Sequence, residues 1–191
     1  MSNQQSTLVG SILEDRISSP IWMVTLVVVG SILLTISAKI QIPFFPVPMT
    51  MQTFAVCIIG MTLGRLLGTA TILLYLLEGA IGLPVFANGG GLAYMTGPTG
   101  GYLIGFLIAG FVLGNLSDKG WGKNYLTSIA ALLIGTAIIY ILGVLYLSTI
   151  IGLEKAYYGG FLPFYPAEIF KILLATIMLP SAWKFFNKHN K

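Results

Sequence analysis

The sequence predicts an all-α, polytopic membrane protein of six transmembrane helices with both termini in the cytoplasm. Three observations carry that prediction. Only 8% of the 191 residues are charged and 56% are hydrophobic, whereas a soluble domain carries about 25% charged residues. Apolar runs recur along the whole chain, and a run of about 20 residues is long enough to cross a bilayer. The basic residues also segregate. With six spans, Arg16, Arg65, Lys119, Lys123, Lys184, Lys188 and Lys191 share the side of the termini, Lys39 and Lys155 fall opposite, and Lys171 lies inside the last span. Basic loops stay cytoplasmic, so the termini face inward and the chain sits in a bacterial-type cell (plasma) membrane.

Residues 1–20 form a polar tail with Glu14, Asp15 and Arg16, in which 11–17 either makes a short interfacial helix or stays unstructured. Residues 21–39 are the first span, too long for the apolar stretch of a cleavable signal peptide. Residues 40–50 hold Pro43, Pro46 and Pro48. Proline lacks an N–H and disfavours helix in the residue before it, so this is a structured apolar connection at the membrane surface. Residues 51–64 are a short second span, tilted or incompletely crossing. Arg65 marks a tight turn, and 66–83 are the third span, with Glu78 near its end. A glycine-rich, uncharged loop over 83–102 follows, and 99–116 are the fourth span. A polar turn over 117–124 leads to the fifth span at 125–150, and a loop over 151–161 leads to the sixth, which starts at 163 or 166 and ends at 186. The chain therefore divides into a cytoplasmic tail (1–20), one six-helix membrane domain (21–186) and a basic cytoplasmic tail (187–191).

Small residues recur at four-residue spacing: Gly60, Gly64 and Gly68, then Gly101 and Gly105, then Gly110 and Gly114. Such spacing lets helices approach closely in lipid. It serves either packing within the chain or a face for a partner membrane subunit. A weaker face of the same kind runs along the first span through Ser31, Thr35 and Ala38.

Composition excludes several classes of chemistry. The net charge of +4 is spread over turns and tails, which suits anionic lipid headgroups rather than nucleic acid. His189 is the only histidine and Cys57 the only cysteine. A histidine-based triad, a histidine–cysteine metal cluster and an intrachain disulfide are thereby excluded. No Gly-x-x-x-x-Gly-Lys-Ser/Thr stretch exists for ATP. No catalytic residue, metal site or cofactor is expected, and the chain does not read as an enzyme.

Charge inside a membrane is costly and marks candidate sites. Glu168 and Lys171 lie at i and i+3 on one helix face, just after Pro166 at the first turn. They are either a self-satisfied ion pair near the outer interface or a paired anchor for a ligand with hydrogen-bonding and anionic ends. Glu78 either lines the same pocket or is interfacial. Gln52 binds either loop backbone or ligand, since a buried amide needs a partner. Asn88 is a turn residue or a ligand donor. Phe44, Phe45, Tyr94, Tyr102 and Tyr165 either form an interfacial aromatic belt or stack on a ring-bearing ligand. The loop over 83–102 carries Phe86, Leu92, Tyr94 and Met95 among its glycines. A flexible linker would be polar, so this loop reads as a cover that folds back over a small-molecule pocket.

The runs Pro46-Val-Pro-Met-Thr-Met-Gln-Thr53 and Gly97-Pro-Thr-Gly-Gly-Tyr102-Leu-Ile-Gly-Phe106, with the Glu168-x-x-Lys171 helix, resemble the BioY family over 21–186. These are the biotin-specific substrate-binding subunits of energy-coupling-factor (ECF) transporters. Many relatives have aspartate where this chain has Glu168. The resemblance implies a six-helix subunit that binds biotin with high affinity in an outward-facing pocket under the first and third outer loops. It implies ligand contacts from Glu168, Lys171, Gln52, Asn88, Tyr94, Gly101, Tyr102, Phe44 and Glu78. It also implies a transmembrane coupling protein, met through the first helix at Ser31, Thr35 and Ala38, and two cytoplasmic ATPases. The competing reading is a stand-alone facilitator or proton-coupled carrier for a small carboxylate-bearing vitamin, using Glu78 or Glu168.

Overall fold

In lipid, a helix satisfies every interior N–H with its own carbonyls, which is why an apolar chain adopts it. The computed structural model describes residues 7–13 and 19–189 and follows that rule. Of the tails expected at 1–20 and 187–191, residues 1–6, 14–18, 190 and 191 lie outside the described residues. Among the described residues, five helices are long and apolar enough to cross a membrane. They are α2 (Pro20–Lys39), α3 (Gln52–Ala80), α5 (Gly100–Asp118), α6 (Tyr125–Ile151) and α8 (Tyr165–His189). Shorter elements join them: α1 (Leu8–Leu13), α4 (Leu92–Met95), α7 (Leu153–Gly160) and a 3₁₀ turn at Trp121–Lys123.

The count of five rather than six has a specific cause. The second and third expected spans run together as α3, which is interrupted at Gly64, where φ is 78° and ψ is −175°. Only glycine adopts that backbone region without strain. The two arms then lie against each other. A Cβ on Gly68 would sit 3.3 Å from the Gly60 Cα, and at the far end Gln52 Nε2 donates to the Tyr75 hydroxyl at 2.6 Å. The break falls one residue before the expected turn at Arg65. Helical rise makes the arms roughly 18 and 24 Å long, each short of the roughly 30 Å hydrocarbon core. The turn is enclosed by protein: a Cβ on Gly64 would strike the Asp118 carboxylate and the Thr7 methyl.

Thr7 and Leu8 are buried there, so α1 is docked on this turn. Of the stretch 11–17, read as either a short interfacial helix or unstructured, residues 11–13 belong to α1 (Leu8–Leu13) and 14–17 lie outside the described residues. Between α2 and α3 the proline-rich segment forms a two-stranded antiparallel hairpin, β1 (Gln41–Ile42) on β2 (Met49–Thr50), with Gln41 opposite Thr50. Among the described residues, this hairpin and an isolated bridge between Phe86 and Gly89 are the departures from all-α. The loop expected over 151–161 is largely helical as α7, because the chain changes direction at Gly152, with φ of 85°, and re-enters helix with Glu154 in the favourable first turn.

The glycine spacing is used inside the chain. Gly60 meets Gly110 and Leu113, Gly105 meets the Ile139 backbone, and Gly114 meets Arg65. This brings α3 against α5 and α5 against α6, around a core of Ile72, Leu113, Leu132 and Ile139. Helix α2 packs chiefly on α3 and exposes Val24, Val28, Ile32 and Ile36, a face suited to acyl chains. Gly64→Ala is expected to lower apparent stability by about 1–3 kcal/mol through left-handed strain and overpacking. The check is a lower thermal midpoint of the detergent-solubilised variant.

Candidate functional site

The pocket forms where the β1–β2 hairpin and the loop over 81–99 lean over the ends of α3, α5, α6 and α8. It encloses about 510 Å³ of space between atoms, its open mouth included. The cavity within it is about 40 Å³, small beside the roughly 300–1,000 Å³ of typical ligand pockets. Its walls are Phe86, Tyr94, Tyr102, Phe106, Tyr140 and Phe164, and Gln52, Thr53 and Glu168 supply polar groups.

At its base lies the one ion pair among the described residues. Lys171 Nζ donates to Glu168 Oε1 at 2.6 Å, to the Thr50 carbonyl at 2.7 Å and to Thr53 Oγ1 at 3.0 Å. Those contacts use all three ammonium donors. Thr53 Oγ1 in turn donates to Glu168 Oε1 at 2.9 Å. Both charged side chains are 7% exposed. Burial at this level is tolerated only because the pair neutralises itself and its hydrogen bonds are made. Glu168 lines the pocket and faces the Tyr140 hydroxyl. Lys171 does not line it and sits behind Glu168, between a small crevice and a lateral groove.

The aromatic walls are held individually. The Tyr102 hydroxyl donates to the Gly160 carbonyl at 2.7 Å, and its ring meets Tyr140 edge-on at 5.9 Å. Phe86 stacks on Tyr94 at 5.1 Å and meets Tyr75 edge-on at 5.4 Å. Gly79 leaves just enough room for the Phe86 ring, which a Cβ there would overlap. Burial pushes the Tyr94 phenol above its ordinary pKa, opposed by hydrogen bonds with the Thr99 side chain and the Asn88 backbone, so it stays a neutral hydroxyl near pH 7.

Of the residues singled out in the sequence, Gln52, Tyr94, Tyr102 and Glu168 come together around the pocket. Gln52 is also tied to loop backbone through Tyr75, whose hydroxyl donates to the Val85 carbonyl at 3.2 Å. The structure places the others elsewhere. Asn88 is a turn residue whose Oδ1 accepts from Gln41. Gly101 faces Tyr146 and the Leu142 carbonyl, not the pocket. Phe44 packs on the outside of Phe164 at 5.8 Å. Glu78 accepts from the Ser31 hydroxyl between α2 and α3, because that helix face turns away from the pocket. Ser31 and Ala38 are 1% and 0% exposed, so the small-residue side of α2 is used against α3 and is not open to a partner. Thr35 donates to the Ser31 carbonyl.

Sequence reasoning missed Thr53, Phe86, Phe106, Tyr140 and Phe164 as wall residues. Tyr140 carried a usable signal, a phenol at the middle of an apolar span.

Comparison with known proteins adds to this geometry. The chain matches the family model described as the BioY family over residues 7–188. It is 43% identical over 157 residues to the probable biotin transporter BioY of Pyrococcus horikoshii, covering 81% of this chain and 92% of the relative. It is 40% identical over 148 residues to the biotin transporter BioY of Thermotoga maritima, covering 76% and 86%. The crystal structure of the S-component for biotin from an ECF-type ABC transporter superposes with a TM-score of 0.74 at 28% identity, covering 86% of this chain and 92% of that one.

Removing one member of a buried pair leaves an uncompensated charge, which costs about 3–5 kcal/mol. Lys171→Met is therefore expected to lower the thermal midpoint more than the charge-neutral double substitution Lys171→Met with Glu168→Gln. Equal midpoints for the two proteins would contradict the pair's role.

Proposed function

The chain belongs to the BioY family, and from that premise we propose that it is the biotin-binding S component of an ECF-type transporter for vitamin uptake. The observation that carries the pocket assignment is the buried Glu168–Lys171 pair at the base of an aromatic pocket beneath two outer loops. Biotin combines an apolar bicyclic ring, a ureido group with N–H donors and a carbonyl acceptor, and a carboxylate on a flexible chain. Aromatic walls suit the ring. Glu168, which faces the pocket, accepts from the ureido N–H groups. Lys171 has its donors engaged behind Glu168. This favours the orientation in which the charged pair sits at the ureido end and backbone amides of the covering loops take the carboxylate.

The proposed topology is six spans with both termini cytoplasmic. The antiparallel arms about Gly64 support counting α3 as two spans, and the basic residues on the side of Arg65, Lys119 and Lys184 support the orientation. The chain carries no P-loop, so the energy for uptake comes from a transmembrane coupling protein and two cytoplasmic ATPases.

Radiolabelled biotin should bind saturably to the purified protein, and neither lipoate nor thiamine should displace it. Absence of saturable binding would overturn the assignment. Glu168→Ala is expected to weaken binding at least about tenfold, since a hydrogen bond to a charged group contributes roughly 1.5–3 kcal/mol. Concentrative biotin uptake into vesicles holding this chain alone would replace the S-component reading with a self-sufficient carrier.

A further inference from the structure

The glycine-rich loop over 83–102 is strapped from behind. Three successive carbonyls each accept from a different element. Val85 accepts from the Tyr75 hydroxyl of α3 at 3.2 Å, Phe86 from Lys39 Nζ at the end of α2 at 2.6 Å, and Ala87 from Gln41 Nε2 of β1 at 3.2 Å. Gln41 Nε2 also reaches Asn88 Oδ1 at 3.1 Å. Both of its partners are acceptors, so the NH₂ end of the amide must face them. Phe86 and Ala87 present their other side to the pocket. Lys39 and Gln41 do not touch the pocket, yet they hold the wall that does.

The charge on Lys39 distinguishes its strap from the other two. Its stem is exposed, but its ammonium meets a carbonyl of Phe86, a residue only 1% exposed. Charge-assisted bonds are shorter and stronger than neutral ones, and this is the shortest of the three. Lys39 and Gln41 also flank the start of the β1–β2 hairpin, which contributes Val47, Pro48 and Thr50 to the pocket. Their straps therefore join the β1–β2 hairpin and the loop over 83–102 into one covering body.

We propose that Lys39 is a positioning residue for ligand retention: it latches the Phe86 carbonyl, keeps the two outer loops together as one cover, and so slows release of the bound ligand. The proposal rests on the biotin-binding reading above. Loss of the latch lets the Phe86–Ala87 wall move without altering any group that contacts the ligand. Release accelerates, while association, governed by the open mouth, changes little.

The test is a chase experiment on purified wild-type, Lys39→Met, Lys39→Arg and Gln41→Ala proteins loaded with radiolabelled biotin and diluted into unlabelled biotin. Lys39→Met should release biotin about five- to tenfold faster than wild type, with an association rate within about twofold and an unchanged thermal midpoint of the ligand-free protein. Lys39→Arg should restore slow release, because it keeps a cationic donor. Gln41→Ala should accelerate release by about two- to threefold, and it carries the test if Lys39→Met does not purify folded. If wild type retains biotin and neither Lys39→Met nor Gln41→Ala releases it more than twofold faster, the latch is overturned and the binding assignment stands. If wild type retains none, the assignment falls and the latch with it.

Discussion

The three hydrogen bonds of Lys171 hold together parts of the chain that lie far apart in sequence. One ammonium on α8 reaches its own helix at Glu168, the hairpin strand at Thr50 and the start of α3 at Thr53. A lysine amine presents three donors and no acceptor, so one group suits a junction where three acceptors from different elements converge. In a low-dielectric setting each unmade contact would be costly. The base of the pocket is therefore a rigid polar node, and the aromatic walls rise from it.

Around that node the fold is shaped by the lack of a hydrophobic force between helices in lipid, where close packing must take its place. The backbone contacts at Gly60, Gly105 and Gly114 provide that packing. They also explain why α3 and α5 are the most enclosed of the long helices and α2 the least. The rigidity of the α3–α5–α6 group gives the covering loops a fixed frame to rest on. The cover is held both by side-chain hydrogen bonds to loop carbonyls and by the buried Phe86 ring packed on Tyr75 and Tyr94.

Much of this was legible in the sequence, for physical reasons that can be named. Glu168 and Lys171 stood out because charge is rare in an apolar run and the i, i+3 spacing paired them. The glycine spacing pointed to close helix contacts, and the proline run between α2 and α3 excluded helix there. Less was legible where chemistry is degenerate. Thr53, Phe106 and Phe164 resemble dozens of other apolar or hydroxyl-bearing positions until the fold brings them together. α7 was obscured by its terminal Gly159-Gly160. Ser31 and Ala38 are buried within this chain, which the sequence did not indicate, because small residues mark a close contact without saying with what. Lys39 looked like a marker of topology, since nothing local shows that its ammonium reaches a carbonyl 47 residues away.

The turn at Gly64 bears on the order in which the protein is made. Chains leave the ribosome N-terminus first, and Gln52, Thr53, Tyr75 and Phe86 all lie within the first half of this one. Because the arms of α3 fold back on each other, one face of the pocket can assemble from neighbouring segments while synthesis is still under way. The opposite face, with Tyr140 and Phe164, follows later, and Glu168 and Lys171 arrive with the last helix. A nascent chain lacking α8 therefore has half a pocket without its charged base. Both faces of the pocket and its charged base are therefore present together only after α8 has been made and inserted.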